Sequence, residues 1–227
     1  MKRTVITTSD GSKTIQIEDW NEQYHSIHGA IQESQHVFIK MGLHHFLNRY
    51  KPIDLSILEI GFGTGLNAFL TALESDKQGI KIHYEAIEAY PVLTEELSQL
   101  NYASQIDPEK QTLFDTLHEV FWGELHSITS LFSLKKRQQF FSDISDKNSF
   151  DIIYFDAFGP RVQPELWTNS IFKSMFNALK NKGVLVTYSA KGSVRRAMQA
   201  AGFLVERLEG PPGKREMLRA SKPSEIC

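Results

Sequence analysis

Residues 55–89, LSILEIGFGTGLNAFLTALESDKQGIKIHYEAIEA, constrain the fold more than any other stretch. The run LSILEI has the apolar density of a buried strand, and it enters a turn with glycine at 61, 63 and 65. LNAFLTALES then carries helical spacing, and IKIHYEAIEA returns to strand character. PVLTEELSQLN follows as a helix opened by Pro91, where a missing N–H leaves no intrahelical bond unmade. This βαβα alternation is the rhythm of a parallel sheet.

The rhythm resumes downstream. FDIIYFDAF predicts a strand and PELWTNSIFKSMFNALK a helix with Pro164 near its start and Asn181 to Gly183 past its end. GVLVTYSA predicts a strand, and SVRRAMQAAG a helix capped by Ser193 and closed by Gly202. FLVERLEG and KREMLRA read as two last strands joined by GPPG. Between 103 and 135 both periods mix, and the segment is assigned a helix and then a strand. The whole predicts an α/β chain with a seven-stranded mixed sheet flanked by helices.

The first 50 residues look different. TVITTSDGSKTIQI alternates β-formers around Asp10 and Gly11, a pair suited to the φ > 0 positions of a tight turn, so residues 4–17 predict a hairpin. SQHVFIKMGLHHFLNRY has a helical rhythm that Pro52 ends. The expected organisation is an appendage of hairpin and helix over 1–50, the main domain over 51–221, and a tail over 222–227.

At 227 residues and 41% hydrophobic content the chain can build one substantial core. A formal charge of −2 gives no global footprint for a polyanion, so nucleic acid would need a local basic patch. The single cysteine, Cys227, cannot form an intrachain disulfide, and the polar start MKRTVITTSD lacks a signal peptide's apolar core. No apolar run approaches the roughly 18 residues of a membrane span. A cytoplasmic chain without a membrane partner is expected.

Alternating glycines between strand and helix allow close backbone approach, while N–H groups at the helix start can receive a polar or anionic group. A dinucleotide fingerprint needs glycine where Leu66 stands, and a P-loop needs Gly-Lys-Ser/Thr after its spacer, so neither fits. Acids narrow the choice. Glu88 ends the second strand, about 25 residues on, where a carboxylate can accept from both ribose hydroxyls. Asp143, in FFSDIS, follows the next strand, where it can accept from an adenine amino group or act as a turn aspartate. Asp156 ends the run IIYFDAFGP, in the crevice where open α/β sheets bind ligands.

With Glu59 before the glycine turn, this set resembles a class I S-adenosylmethionine-dependent methyltransferase, with a Rossmann-like seven-stranded sheet. The resemblance then narrows. LEIGFGTGLNAFLTAL, YFDAFGPRVQPELWTNSIFKSM, GVLVTYSAKGSVRRAMQAAGF and GPPGKREMLRA, together with YHSIHGAIQESQHVFI, resemble the methyltransferase domain of the MnmC family, tRNA 5-methylaminomethyl-2-thiouridine biosynthesis proteins. The resemblance implies S-adenosylmethionine as cofactor and methyl transfer to the aminomethyl nitrogen of a wobble uridine in the tRNA anticodon loop. It implies cofactor contacts from Glu59, Gly61, Gly63, Gly65, Asn67, Glu88 and Asp143, with Glu33 and Ser34 near the pocket. The larger family members carry a flavin-dependent oxidase domain for which 227 residues leave no room, so a stand-alone form is expected, fed by a separate enzyme that supplies the aminomethyl-uridine.

Asp156 is the candidate catalytic residue, accepting or orienting the amine's proton, with capping of its turn or cofactor contact as the other readings. The resemblance implies that Phe158 packs on the base and that Lys214 and Arg215 meet the substrate or shape the architecture near the site. Lys191, Arg195, Arg196 and Arg219 could complete a basic rim, or form a solvated helix face and a polar strand edge. His25, His28, His36, His44 and His45 lack cysteine or paired acids, so no metal is expected. Two other functions fit the same residues: a small-amine methyl- or aminopropyltransferase, and a non-catalytic cofactor-binding RNA module.

Overall fold

The computed structural model describes residues 2–224. The last residues of the expected tail, 225–227, lie outside it. The chain opens with β1 (Arg3–Thr7), β2 (Lys13–Ile17) and β3 (Glu22–Gln23), which pair antiparallel as a separate small sheet. The tight turn expected at Asp10–Gly11 is present: Gly11 has φ 84°, and Asp10 Oδ1 accepts from the Ser12 amide at 3.0 Å.

Residues 30–50 form one continuous helical run: α1 (Ala30–Ser34), a π-helical stretch Gln35–His44, and α2 (His45–Tyr50). This run is not peripheral. Val37, Phe38 and Leu43 are fully buried in the main core, because Gly42 lets the helix close on the sheet. A Cβ there would lie 3.0 Å from Val186 and 3.3 Å from Tyr154.

The main sheet contains the seven expected strands: β4 (Asp54–Ile60), β5 (Lys81–Glu88), β7 (Phe132–Gln138), β8 (Phe150–Phe155), β9 (Leu179–Thr187), β10 (Leu204–Glu209) and β11 (Glu216–Ser221). The three-residue β6 (Leu125–Ser127) adds an antiparallel edge. The order is β10-β11-β9-β8-β4-β5-β7-β6, with β9, β8, β4, β5 and β7 parallel. From β4 the chain steps outward through β5 to β7, then returns to the other side of β4 with β8. The carboxyl ends of β4 and β8 therefore flank the topological switch point, where such sheets open a crevice.

Alternate residues of each strand face opposite layers. Ile57, Tyr84, Ile152 and Val186 pack under residues 30–50, α3 (Leu66–Gln78) and α6 (Gln111–Glu119). Leu58, Ile153, Phe155 and Leu185 pack under α7 (Asn169–Ala178) and α8 (Gly192–Ala201).

Four local expectations change. The helix expected from Pro91 shrinks to the single turn α4 (Thr94–Leu97), because Ser98 Oγ and Gln99 Nε2 both donate to the Glu95 carbonyl and close it. The short α5 (Tyr102–Ile106) follows separately. Ser193 lies within α8, whose cap position is Lys191 with no side-chain bond, whereas Gly202 closes the helix at φ 109° as expected. Pro164 opens a separate 3-10 turn, Pro164–Trp167, and β9 begins at Leu179, earlier than its apolar run. No helix among the described residues is long and apolar enough to cross a membrane.

Candidate functional site

A cavity of about 840 Å³ opens at the carboxyl ends of β4, β5, β7 and β8. Gly61, Gly63, Asn67, Glu88, Asp156 and Phe158 line it. Glycine is required at the turn for steric reasons as well as conformation. Gly61 has φ 93°, and a Cβ there would stand 2.7 Å from the Asp156 carbonyl oxygen. Gly65, the α3 cap, has φ 71°, and its Cβ would meet His118 at 2.8 Å. Gly65 thus lies behind the wall, shaping the turn from the protein side.

Behind the turn, Lys136 is buried and donates to the His118 carbonyl at 2.7 Å, with the Phe62 and Trp122 rings 5.6 and 5.1 Å from its ammonium. Burial lowers its pKa to about 8. Burial first, then the charge of Lys136, lowers His118 to about 4, so a neutral ring supports the turn.

Glu88 is fixed by main chain. Its Oε2 accepts from the Gly63 amide at 3.1 Å and its Oε1 from the Tyr90 amide at 2.9 Å. A carboxylate has about four acceptor positions, so two remain for hydroxyls entering the cavity. Phe140, Phe141 and Ser142 line the neighbouring wall. Asp143 is exposed beside them, outside the lining, with Oδ1 accepting from Ser142 Oγ at 3.0 Å.

The other acids form a different arrangement. Asn67 Nδ2 donates to Glu59 Oε1 at 2.9 Å and to Asp156 Oδ2 at 2.8 Å, joining a fully buried acid to one that faces the cavity. Burial pushes Glu59 well above the carboxylate range against the Asn67 bond, and the Asp156 charge adds to the rise. Burial also raises Asp156 to about 7, helped by the Glu33 charge and opposed by the Asn67 amide and Lys214. Glu59 stands behind the lining, and Asn67 touches both the cavity and the acid pair.

Lys214 is half-buried rather than free on a rim. It pairs with the buried Glu33 at 2.5 Å, lies 3.9 Å over the Tyr188 ring, and stays outside the cavity lining. Glu33 Oε2 accepts from the Ser26 amide at 2.7 Å, while the Ser34 hydroxyl is buried without a partner. Arg219 is also withdrawn, donating to Glu206 and to the Met41 carbonyl. Lys191, Arg196 and Arg215 are exposed, and Arg195 is half-buried.

Residues of the N-terminal segment complete the cavity, and sequence spacing gave no sign of it. Arg3, Trp20, Gln23, Tyr24 and His25 all line it. His25 Nε2 lies 2.7 Å from Thr64 Oγ1 in the glycine turn, and burial lowers its pKa to about 4.

The chemistry of this cavity suits S-adenosylmethionine: a turn with no Cβ at 61, 63 and 65, an acid with spare acceptor positions two strands from a second acid, and apolar walls. Comparisons with known proteins agree. The family described as S-adenosyl-L-methionine-dependent methyltransferase matches residues 135–223. A tRNA 5-methylaminomethyl-2-thiouridine biosynthesis bifunctional protein MnmC from Leptospira borgpetersenii is 29% identical over 221 residues, covering 91% of this chain and 33% of that protein. The MnmC of a Marinomonas species is 30% identical over 213 residues, covering 87% and 31%. The chain thus spans about a third of the length of the curated relatives it matches. The crystal structure of MnmC2 from Aquifex aeolicus is 26% identical with a TM-score of 0.75, covering 100% of this chain and 73% of that one. By fold and sequence together, the chain has the α/β architecture of S-adenosyl-L-methionine-dependent methyltransferases and is similar along its length to MnmC2 and to about a third of the MnmC proteins.

Proposed function

We propose that the chain methylates tRNA, moving a methyl group from S-adenosylmethionine to the aminomethyl nitrogen of 5-aminomethyl-2-thiouridine at the wobble position. The observation that carries this reading is the placement of Asp156: at the switch point, facing the cavity, with a pKa of about 7 and Phe158 two residues on. S-adenosylmethionine, when bound, supplies the electrophilic methyl carbon. The protein's part is to present a nitrogen with a free lone pair.

With lysine, pKa ~10.4, as a stand-in for an alkyl amine, forming the neutral amine at pH 7 costs about 4.6 kcal/mol. Asp156 in its ionised form accepts or orients the ammonium proton, and the surrounding apolar walls disfavour the charged amine. Asn67 holds Oδ2, leaving Oδ1 for the acceptor. Glu88 and the glycine turn hold the cofactor side, with Glu59 acting through Asn67. Asp143 is assigned to the adenine edge through its place beside the Phe140–Ser142 wall. Arg215, with Lys191 and Arg196, offers exposed charge to tRNA phosphates, and Lys214 shapes the site through Glu33. A cytoplasmic location and a separate enzyme supplying the aminomethyl group accompany this reading.

The test incubates the protein with methyl-labelled S-adenosylmethionine and tRNA carrying unmethylated aminomethyl-uridine, followed by nucleoside mass spectrometry. Label on the wobble aminomethyl group is expected. Label in a soluble amine instead would assign the protein to small-amine transfer. Cofactor binding with no transfer to any acceptor would reduce it to a binding module.

A further inference from the structure

The cavity is larger than its cofactor half. Its 840 Å³ falls high in the roughly 300–1,000 Å³ range of small-molecule pockets, and its walls divide by the strand that bears them. Glu88 ends β5 and the Phe140–Ser142 wall follows β7, whereas Asp156 and Phe158 follow β8 on the far side of β4. At about 4.8 Å between neighbouring strands, the ends of β8 and β5 stand roughly 10 Å apart. The loop after β8 lines this end together with Trp20 and Tyr24 of the N-terminal segment.

Trp20 and Tyr24 both pack nearly perpendicular to Phe158, with centroid separations of 5.5 and 4.8 Å and interplanar angles of 82° and 77°. All three rings are half-buried and line the cavity. Tyr24 also stands over the glycine turn, where a Cβ on Gly63 would come within 3.0 Å of its ring. It therefore stands between the glycine turn and Phe158, and Trp20 packs against Phe158.

This wall is latched to the β8 loop. Arg161 Nη2 donates to the carbonyls of Trp20 and Asn21 at 3.0 and 3.1 Å and to Glu22 Oε2 at 2.7 Å. A second tie, Arg3 to Glu96 at 3.1 Å, is largely buried and holds the other flank. One guanidinium thus fixes the backbone of the Trp20 turn against the loop that carries Phe158.

We infer that Trp20 and Phe158, with Tyr24 as pivot, form a clamp for the acceptor's nucleobase in front of Asp156, and that Arg161 positions the clamp. The inference rests on the tRNA reading and names the residues that select a planar base over a flexible aliphatic amine. Base–aromatic stacking is sequence-tolerant and strong enough that losing one ring lowers affinity by about ten-fold or more.

The experiment measures methyl transfer to an anticodon stem-loop bearing 5-aminomethyl-2-thiouridine, for wild type, Trp20→Ala, Trp20→Phe and Arg161→Gln, with cofactor affinity measured separately by calorimetry. Expected is an RNA KM raised about ten-fold in Trp20→Ala, largely restored in Trp20→Phe and raised more weakly in Arg161→Gln, with cofactor Kd held within about two-fold. Wild-type transfer with an unchanged KM in Trp20→Ala overturns the clamp alone. A cofactor Kd that rises in step with KM also overturns it, since the ring would then serve the cofactor. Absence of wild-type transfer overturns the tRNA reading and the clamp with it.

Discussion

The two halves of the cavity hold their acids in different ways. At the β5 end, Glu88 is met by two main-chain amides, from Gly63 and Tyr90. At the β8 end, Asp156 shares one side-chain amide, from Asn67, with a second buried acid. Backbone donors come with the turn and stay wherever side chains move, so they suit a carboxylate whose task is to bind. A single shared amide leaves burial dominant and places the Asp156 pKa at about 7, which suits a carboxylate that must exchange a proton.

The largest expected effect breaks the β8 side. Asp156→Asn keeps the shape and removes the charge, and turnover should fall by roughly 10²–10⁴-fold while calorimetric cofactor affinity stays within about two-fold. In the wild type, turnover should rise with pH through about 7 as Asp156 ionises, and this limb should vanish in Asp156→Asn. Equal losses of turnover and cofactor affinity would move Asp156 to the binding side.

Next comes the β5 side. Glu88→Ala removes charge-assisted hydrogen bonds and should raise the cofactor Kd by roughly 10–150-fold, from about 1.5–3 kcal/mol, with turnover at saturating cofactor much less affected. An unchanged Kd would show that Glu88 only braces the turn.

Gly65→Ala asks whether the turn's shape is separable from its ligand. The alanine must hold φ 71° with its Cβ 2.8 Å from His118, so a loss of about 1–3 kcal/mol in urea unfolding is expected without any ligand present. Full stability with weakened cofactor binding would instead put Gly65 in the ligand's wall.

The smallest effect sharpens the coupling. Asn67→Ala withdraws the amide that opposes burial at Asp156, so the inflection of the pH–rate profile should move upward, by about one unit or less. Stability gives the matching sign. Because the folded pKa of Asp156 is raised, the native state holds the extra proton between about 4 and about 7, and wild-type stability falls as pH rises through that window. Asp156→Asn should fall less steeply over the same range in denaturant titrations; an identical slope would place the Asp156 pKa in its ordinary range.

What was legible in the chain followed from local chemistry. Ile57 and Leu58, or Ile152 and Ile153, are apolar on both faces because helices cover the sheet on both sides, and that alone shows a buried parallel strand. The glycine turn, and the acids at 88 and 156, could be placed because strand ends in such sheets converge on one crevice. The short α4 could not: its length depends on Ser98 and Gln99 bonding back to Glu95 rather than on propensity. Nor could the withdrawal of Lys214 and Arg219, whose partners Glu33 and Met41 lie 181 and 178 residues away in the chain.

Local periodicity and turn chemistry by themselves determined the parallel sheet, its glycine turn and the position of its strand-end acids, since each depends on neighbours a few residues apart. Tertiary structure decided the rest: that Asn67 ties Glu59 to Asp156, that burial sets the Asp156 pKa near neutrality, and that Trp20 and Tyr24 reach Phe158 from a distant part of the chain. Desolvation and long-range contact are properties of assembled surfaces, and no pattern within a strand or helix encodes which surface it will meet.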